Sequence, residues 1–395
     1  MNIKTLVELY DKEPVENVLS ACIFEPELLV YVCDINDNTL RKETAVYRLL
    51  KSRGLKTKPR FYYIDTTSYA VVYRTFTAIA RDYPGCVFDF TGGKDLVLLT
   101  AGIFCKENKA DGYYIDIERR RFCEVFGCEE MKEHFEMPRF KAEDVFALAG
   151  ASLLGNGHFE MSRITQDFEQ DVMSVWEIML KNPDAWGGFV GYLQAVTRYM
   201  REDELWVSAK QIIHVNEHVT ARCNVPILMR LEQCKVLSDV HCEGKKVSFK
   251  YKNSLMEKCL LNHGIWLELY AYFAAKRSGY FDDVRTSVLV DWDNTAYQGE
   301  TTRNEIDVML VKGVTPVFIS CKMGLPTALS LSEIKMISEK FGGEYTKTVL
   351  MTASDLKNCN RALWQRAKDL DIYVLDKQEL QSGILEKRLL EIAES

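Results

Sequence analysis

The chain has no apolar run approaching 18 residues and no N-terminal stretch that joins a basic start to an apolar segment. A membrane-spanning helix needs the first and a secretory leader the second, so neither is expected and the sequence reads as cytoplasmic. An excess of positive charge is also lacking: 50 Lys and Arg stand against 57 Asp and Glu, for a net charge of -7. That excludes coating nucleic acid through a global field and leaves only local basic surfaces for such contacts. The 12 cysteines follow no framework spacing, so reduced, mostly buried thiols are expected in place of disulfides. The nearest thing to a zinc set, Cys234, His241, Cys242, Cys259 and His263, matches no familiar ligand spacing. Internal repeats and low-complexity segments are missing as well.

Apolar material, by contrast, is ample. Of 395 residues 47% are hydrophobic, enough for sizeable cores, and this length holds two or three domains of about 100 to 200 residues each. Strands are predicted at Ile3–Leu9, Leu28–Cys33, Arg60–Asp65, Cys86–Phe90 and Gly112–Ile117. Helices alternate with them at Val15–Phe24, Leu40–Lys51, Ser68–Asp82 and Lys94–Cys105. This is the rhythm of an α/β fold, a parallel sheet covered by helices on both sides. Ligands on such sheets sit at the carboxyl ends of the strands.

Two strand ends stand out. In Asp89-Phe90-Thr91-Gly92-Gly93-Lys94-Asp95-Leu96 a buried strand turns through two glycines straight into a helix. Glycines let the backbone approach a ligand, and free amides at a helix start favour anions such as phosphate. Lys94 adds charge there, and Thr91 offers a hydroxyl to a ligand or caps the helix. The spacing is neither that of the P-loop nor that of the dinucleotide fingerprint. The second strand end is Tyr10-Asp11-Lys12-Glu13-Pro14-Val15-Glu16-Asn17, where Pro14 suits a first helical turn and Asp11 a cap.

From 141 to about 215 the chain reads mainly helical, a core-filling linker with Val172, Trp176, Ile178 and Met179 among its apolar positions. Loop signals fall at Gly155-Asn156-Gly157 and Asn182-Pro183-Asp184. Ile227–Glu232 then leads into a hairpin, Val236–Cys242 and Lys246–Lys252, turning at Glu243-Gly244-Lys245, which suggests a winged-helix-like unit. Lys245, Lys246, Lys250 and Lys252 interleave with Phe249 and Tyr251, a pattern that suits either a nucleic-acid backbone or a solvated face.

Near the C-terminus Asn304–Val311 and Pro316–Lys322 form two strands around a turn at Lys312-Gly313. Alternation puts Glu305 and Asp307 on one face of the first strand, and Ser320 and Lys322 on one face of the second. If those faces meet, acids and an amine converge, as metal-assisted phosphodiester cleavage requires. A helix carrying Glu268 precedes the hairpin, and Leu331–Phe341, Thr348–Thr352, Asn360–Leu370 and Ile372–Leu375 continue as helix, strand, helix and strand.

This hairpin resembles the PD-(D/E)XK nuclease core, in which an aspartate ends one strand and Glu-x-Lys lies on the next. Asp307 matches the aspartate and Lys322 the lysine, while Ser320 stands where the glutamate belongs. Glu305 and Glu268 are the candidate substitutes, and Cys321 keeps the middle position, whose backbone carbonyl the resemblance assigns to the metal. The two N-terminal strand ends are similar to those of the CRISPR-associated Rossmann-fold (CARF) domain, whose ligand is a ring of adenylates. That resemblance carries over the loop Tyr10 to Asn17, including Asp11, together with Thr91, Gly92, Gly93 and Lys94 as ligand-pocket residues.

The order of the two motifs looks like the CRISPR ancillary nucleases activated by the cyclic oligoadenylate of type III interference. The layout implied is a Rossmann-like CARF domain over 1–140, a helical and winged-helix-like region over 141–252, and a PD-(D/E)XK domain over 253–395. The function implied is a homodimeric nuclease that uses Mg²⁺ or Mn²⁺, cleaves DNA or RNA, and is switched on allosterically by cyclic oligoadenylate, the tetra-adenylate by resemblance. Two readings compete. One is a catalytically inactive, ring-responsive DNA-binding regulator in which Ser320 marks a lost site; the other is a metabolic enzyme holding a mononucleotide at Thr91 to Lys94.

Overall fold

In the strand Thr5–Leu9 (β1), Leu6 faces one hydrophobic cluster while Val7 and Leu9 face another, so both sides of the strand are buried. A strand apolar on both faces belongs inside a helix-covered sheet. The computed structural model describes residues 3–36, 39–128, 135–156, 164–198, 200–201, 204–292, 303–381 and 383–395. Its chain runs on through α1 (Leu19–Phe24), β2 (Leu28–Asp34), α2 (Thr39–Ser52), β3 (Lys58–Ile64) and α3 (Tyr69–Asp82). It continues through β4 (Val87–Asp89), α4 (Asp95–Asn108), β5 (Gly112–Asp116) and β6 (Arg121–Phe126). The six strands form one sheet in the order β3-β2-β1-β4-β5-β6, with only β6 antiparallel to its neighbour. The order reverses between β1 and β4, which opens a crevice at their carboxyl ends.

One helix is shorter than expected. Residues 14–18 wind as turns and α1 starts only at Leu19, because the Asn17 amide donates to the carbonyls of Asp11 and Glu13, each at 3.0 Å.

The following stretch is less helical than its pattern suggests. Helices α5 (Ala142–Leu148), α6 (Gln166–Lys181) and α7 (Pro183–Thr197) are interspersed with β7 (Ser152–Asn156), β8 (Trp206–Lys210) and β9 (Ile212–His214). Gly155 and Asn156 belong to β7, not to a loop, and Gly157 lies outside the described residues. A two-stranded arm pairs β9 with β10 (Thr220–Arg222). After α8 (Val225–Gln233), the expected hairpin forms from β11 (Leu237–Glu243) and β12 (Lys246–Tyr251), and β8 joins it to give the order β11-β12-β8. Short α9 (Ser254–Leu260) closes this part.

The last part comprises α10 (Ile265–Ser278), β13 (Asp283–Asp291), β14 (Arg303–Lys312), β15 (Thr315–Lys322), α11 (Ala328–Gly342) and β16 (Lys347–Thr352). It ends with α12 (Leu356–Cys359), α13 (Arg361–Asp369), β17 (Ile372–Leu375) and α14 (Ile384–Glu394). Six strands pair in the order β17-β16-β15-β14-β13-β7. Neither β13 nor the docking of β7 on it is legible in the local pattern, since pairing between distant segments decides both. Val308, Leu310, Val317 and Ile319 face a core shared with α10 and the middle helices. Met309, Val311 and Phe318 face a core that reaches Phe146 of α5 and Leu29 and Tyr31 of the N-terminal sheet.

All 12 cysteines are free. Among the described residues no three His, Cys, Asp or Glu side chains are grouped so as to hold a metal ion, neither the Cys234 to His263 set nor Asp307, Glu268 and Glu305. No helix among them is long and apolar enough to cross a membrane.

Candidate functional site

The antiparallel β14–β15 pair runs with Val308 opposite Ile319 and Met309 opposite Phe318, and beyond these pairs Asp307 meets the end of β15. Its Oδ2 accepts a hydrogen bond from the Cys321 N–H at 2.6 Å and from the Ser320 hydroxyl at 3.3 Å. The Lys322 ammonium stands 3.6 Å from the same oxygen. The two strand faces therefore meet as alternation requires, and the acid and the amine converge. Ser320 contributes a hydroxyl donor where a carboxylate would contribute charge.

Glu268 reaches the same place from α10. Burial pushes its carboxyl up to about 8, and the charges of Asp307 and Glu305 add to the rise, while a Ser287 hydrogen bond and Lys322 oppose it. The Ser287 hydroxyl donates to Glu268 Oε2 at 3.3 Å from a residue in the left-handed region, φ 49°. Sequence reasoning missed Ser287, since nothing in an apolar strand run marks it. Glu305 is the exposed member of the group and acts on Glu268 through its charge. Cys321 is buried, with its thiol held well above the usual range by burial and then by Asp307 and Glu268. What its peptide offers Asp307 is the N–H. With Glu268 held toward its protonated form, the Asp307 and Glu305 carboxylates against one ammonium still leave an excess of negative charge that a hard divalent cation would relieve. Mg²⁺ is commonly held by one or two carboxylates with water and substrate oxygens completing the shell, which suits this donor set.

The N-terminal residues meet at the switch point. Asp11 bridges both loops: its carboxylate accepts from the Glu13 N–H and from the Gly93 N–H, each at 3.0 Å. The protein's own carboxylate thus takes up an amide that the sequence reading offered to a phosphate. A Cβ on Gly92 would lie 2.9 Å from Glu16 Oε2, and Gly93 has φ +131° with Leu9 Cβ at 2.8 Å from any side chain placed there, so the turn has room only for glycines. Asn17 is buried, accepting the Asp11 N–H at 2.8 Å, and serves the loop's shape. Tyr10 packs edge-on to Tyr31.

Thr91 does not cap α4, whose N-cap residue is Lys94 without a side-chain bond. Its hydroxyl donates to buried Asp89 and accepts the Ile115 N–H at 3.0 Å. Lys94 is tied to Asp34 at 2.5 Å, and that ammonium, with the Thr66 hydroxyl, holds the Asp34 carboxyl well below the usual range. Asp11 likewise caps no helix, because α1 begins eight residues later.

The two sites are physically linked. Glu13 Oε2 accepts the Glu344 N–H at 2.7 Å, and Glu16 Oε1 accepts the Tyr345 hydroxyl at 2.7 Å. Lys12 adds an exposed ion pair to Glu344 at 3.2 Å. Residues 343–346 join α11 to β16, and β16 pairs with β15 so that Thr352 lies beside Lys322. Burial pushes the Glu16 carboxyl up to about 7 despite the Tyr345 hydrogen bond, with Asp11, Glu13 and Glu344 adding to the rise. Tyr345 and Glu344 carry no local sequence signal beyond the preceding Gly342-Gly343.

The overall architecture matches two solved proteins along essentially their whole lengths. The protein VC1899 from Vibrio cholerae aligns with TM-score 0.77 at 16% identity, over 98% of this chain and 97% of the other. Can2 from Sulfobacillus thermosulfidooxidans, solved in complex with cyclic tetra-adenylate, aligns with TM-score 0.70 at 16% identity, over 100% and 98%. The chain has the Can2 fold. A type III CRISPR defence DNA nuclease activated by cyclic oligoadenylate aligns more loosely, with TM-score 0.47 at 12% identity over 90% of this chain and 46% of the other. No protein-family model matches the sequence, and no curated protein matches it closely enough to count as a relative.

Within this Can2-like fold the basic hairpin differs from its sequence reading. Phe249 and Tyr251 are fully buried, so neither ring is free to stack on a base. Lys252 is bonded to Asp171 at 2.6 Å, while Lys245, Lys246 and Lys250 remain exposed.

Proposed function

We propose that the chain is a metal-dependent nuclease of type III CRISPR antiviral defence, switched on by a cyclic oligoadenylate bound in the crevice between β1 and β4. The observation that carries this reading is the convergence of Asp307, Glu268 and Lys322 at one sheet end. The domains follow the sequence reading, 1–140 for the ring, 141–252 between, and 253–395 for cleavage, except that β7 of the middle stretch adds its strand to the sheet of the last. The Can2 structure contains cyclic tetra-adenylate, which makes that ring the first candidate activator here. A two-fold ring spans two such crevices in a homodimer, with Tyr10, Asp11, Thr91, Gly92, Gly93 and Lys94 around it and Asn17 shaping the loop.

Asp307 would hold Mg²⁺ or Mn²⁺ together with Glu268 or Glu305 and the Cys321 carbonyl. When bound, the ion supplies a nucleophilic water and polarises the phosphodiester. Lys322 orients the attacking water and offsets phosphate charge, which first requires its release from Asp307. Burial, and then the charges of Asp307 and Glu305, keep Glu268 toward its protonated form at neutral pH. Ring binding shifts activity only if the ring binds the active arrangement more tightly, and the Glu13 and Glu16 bonds to Glu344 and Tyr345 are the route for that preference.

The test is cleavage of labelled single- and double-stranded DNA and RNA in Mn²⁺ and Mg²⁺, with and without cyclic tri-, tetra- and hexa-adenylate. Ring-dependent cleavage that Asp307→Ala and Lys322→Ala each abolish, with ring binding intact, is the expected outcome. Ser320 favours a second reading, a ring-responsive DNA-binding regulator, and ring-dependent DNA binding without cleavage in either metal would establish it instead.

A further inference from the structure

The strand registers of the small sheet define a face absent from the reading of the hairpin alone. On β8, Trp206, Ser208 and Lys210 lie opposite Lys250, Ser248 and Lys246 of β12, which in turn face Ser238, His241 and Glu243 of β11. The alternate residues Val207, Val247, Phe249 and Tyr251 are buried in the core beneath. The nine outward residues therefore form one surface, with Glu243 among them and exposed Asp239 at the β11 bulge beside it, accepting from the Ser238 hydroxyl at 3.0 Å.

Two features of this surface point to a ligand. Lys210 and Lys246 stand directly opposite each other, a like-charge pair, and only Lys246 has a carboxylate, Glu243, opposite it on its other side, at a register position where no ion pair forms. Among the described residues neither of them, nor Lys250, has an ion-pair partner, whereas Lys252 on the same hairpin is bonded to Asp171 at 2.6 Å. The second feature is Trp206, 44% exposed on the edge strand, while Trp176, Trp186 and Trp266 are at most 1% exposed. An indole left in water beside unpaired ammoniums offers a stacking platform and phosphate contacts together.

We propose that this face binds single-stranded nucleic acid, with Trp206 stacking on a base and Lys210, Lys246 and Lys250 meeting the phosphate backbone. An unpaired strand is required because only an unstacked base presents its face to an indole. A protein partner fits poorly, since protein interfaces are depleted in lysine and serine. The buried side of the sheet shares its core with α10, whose Glu268 belongs to the candidate nuclease site, and with Val317 and Ile319 of β15. A strand held here is thus carried on the same packed body as that site. The inference rests on the nuclease reading for its purpose, while the binding itself is measured without cleavage.

The experiment uses the full-length Asp307→Ala protein, fluorescein-labelled single-stranded DNA and RNA of one sequence, and the matching duplexes, with anisotropy recorded over a range of salt. Trp206→Ala is expected to weaken single-strand binding about tenfold, with Trp206→Phe restoring part of it. Lys210→Gln with Lys246→Gln is expected to flatten the salt dependence by roughly 1.4 units of log-log slope. In a protein that keeps Asp307, Trp206→Ala should raise KM for a single strand and spare kcat. Binding unchanged in both sets of variants overturns the proposal, even where cleavage continues and the nuclease reading stands. Trp206-dependent binding without cleavage in any metal upholds the face and sinks the nuclease reading instead.

Discussion

Glu16 carries one carboxyl between two jobs, touching the Gly92 turn on one side and accepting the Tyr345 hydroxyl on the other. Burial pushes it up to about 7 from 4.5, so the folded chain holds a proton there that the unfolded chain has already released. The stability this gives is fully present below about pH 4.5 and is lost as pH rises through about 7. Glu16→Gln keeps an acceptor for Tyr345 and removes the titration. Thermal melts should therefore coincide for the two proteins near pH 4.5 and separate by pH 8. There the variant should be more stable by about 1 to 2 kcal/mol, a figure reduced for the partial exposure of the carboxyl. A constant difference across that range would show that Glu16 does not titrate where its surroundings place it. At the other site Ser320 is the telling residue. Its hydroxyl supports Asp307 by a hydrogen bond and supplies no charge, so the acids that accompany Asp307 in this reading are Glu268 and Glu305.

Under the proposed function, the turn between α11 and β16 is the element on which gating would depend. Gly343 has φ 65° and ψ -159°, a conformation that residues with a side chain rarely adopt, and a Cβ there would sit 2.3 Å from Glu13 Oε2. The glycine thus lets the Glu344 N–H reach Glu13 across the boundary between the two sheets. Tyr345→Phe removes one bond of that link and should cut the ratio of ring-stimulated to basal cleavage about fivefold, with ring affinity nearly unchanged. Gly343→Ala breaks the fit itself and should reduce the ratio further. Equal stimulation in both variants, measured at saturating ring, would exclude this turn as the coupling element. The same scale explains the secondary structure that local pattern did not reveal. Ser152–Asn156 becomes a strand because β13 offers it an edge, and residues 14–18 leave the helix because the Asn17 amide binds their loop.

Across the molecule, one hydrophobic core joins the middle helices to α10 and to one face of the C-terminal sheet, with Trp266 packed edge-on to Trp186 at 6.3 Å. Trp266→Ala should cost about 3 to 5 kcal/mol and lower the melting of the middle and C-terminal parts together. Two separate transitions, only one of them shifted, would contradict a shared core. Much of this architecture follows from local order. The alternation of apolar runs specified the parallel N-terminal sheet, and Lys312-Gly313 between two strands brought Asp307 and Lys322 to facing positions. Period-two alternation and turn chemistry act within a few residues, so they survive in the sequence as read. What only the tertiary structure decided depends on contacts between distant segments: Asp11 on the Gly93 amide, Lys94 on Asp34, Ser287 under Glu268, Tyr345 on Glu16, and Lys210 opposite Lys246. Each partner there is chosen by how the chain folds back on itself, and no window of sequence contains both ends of such a contact.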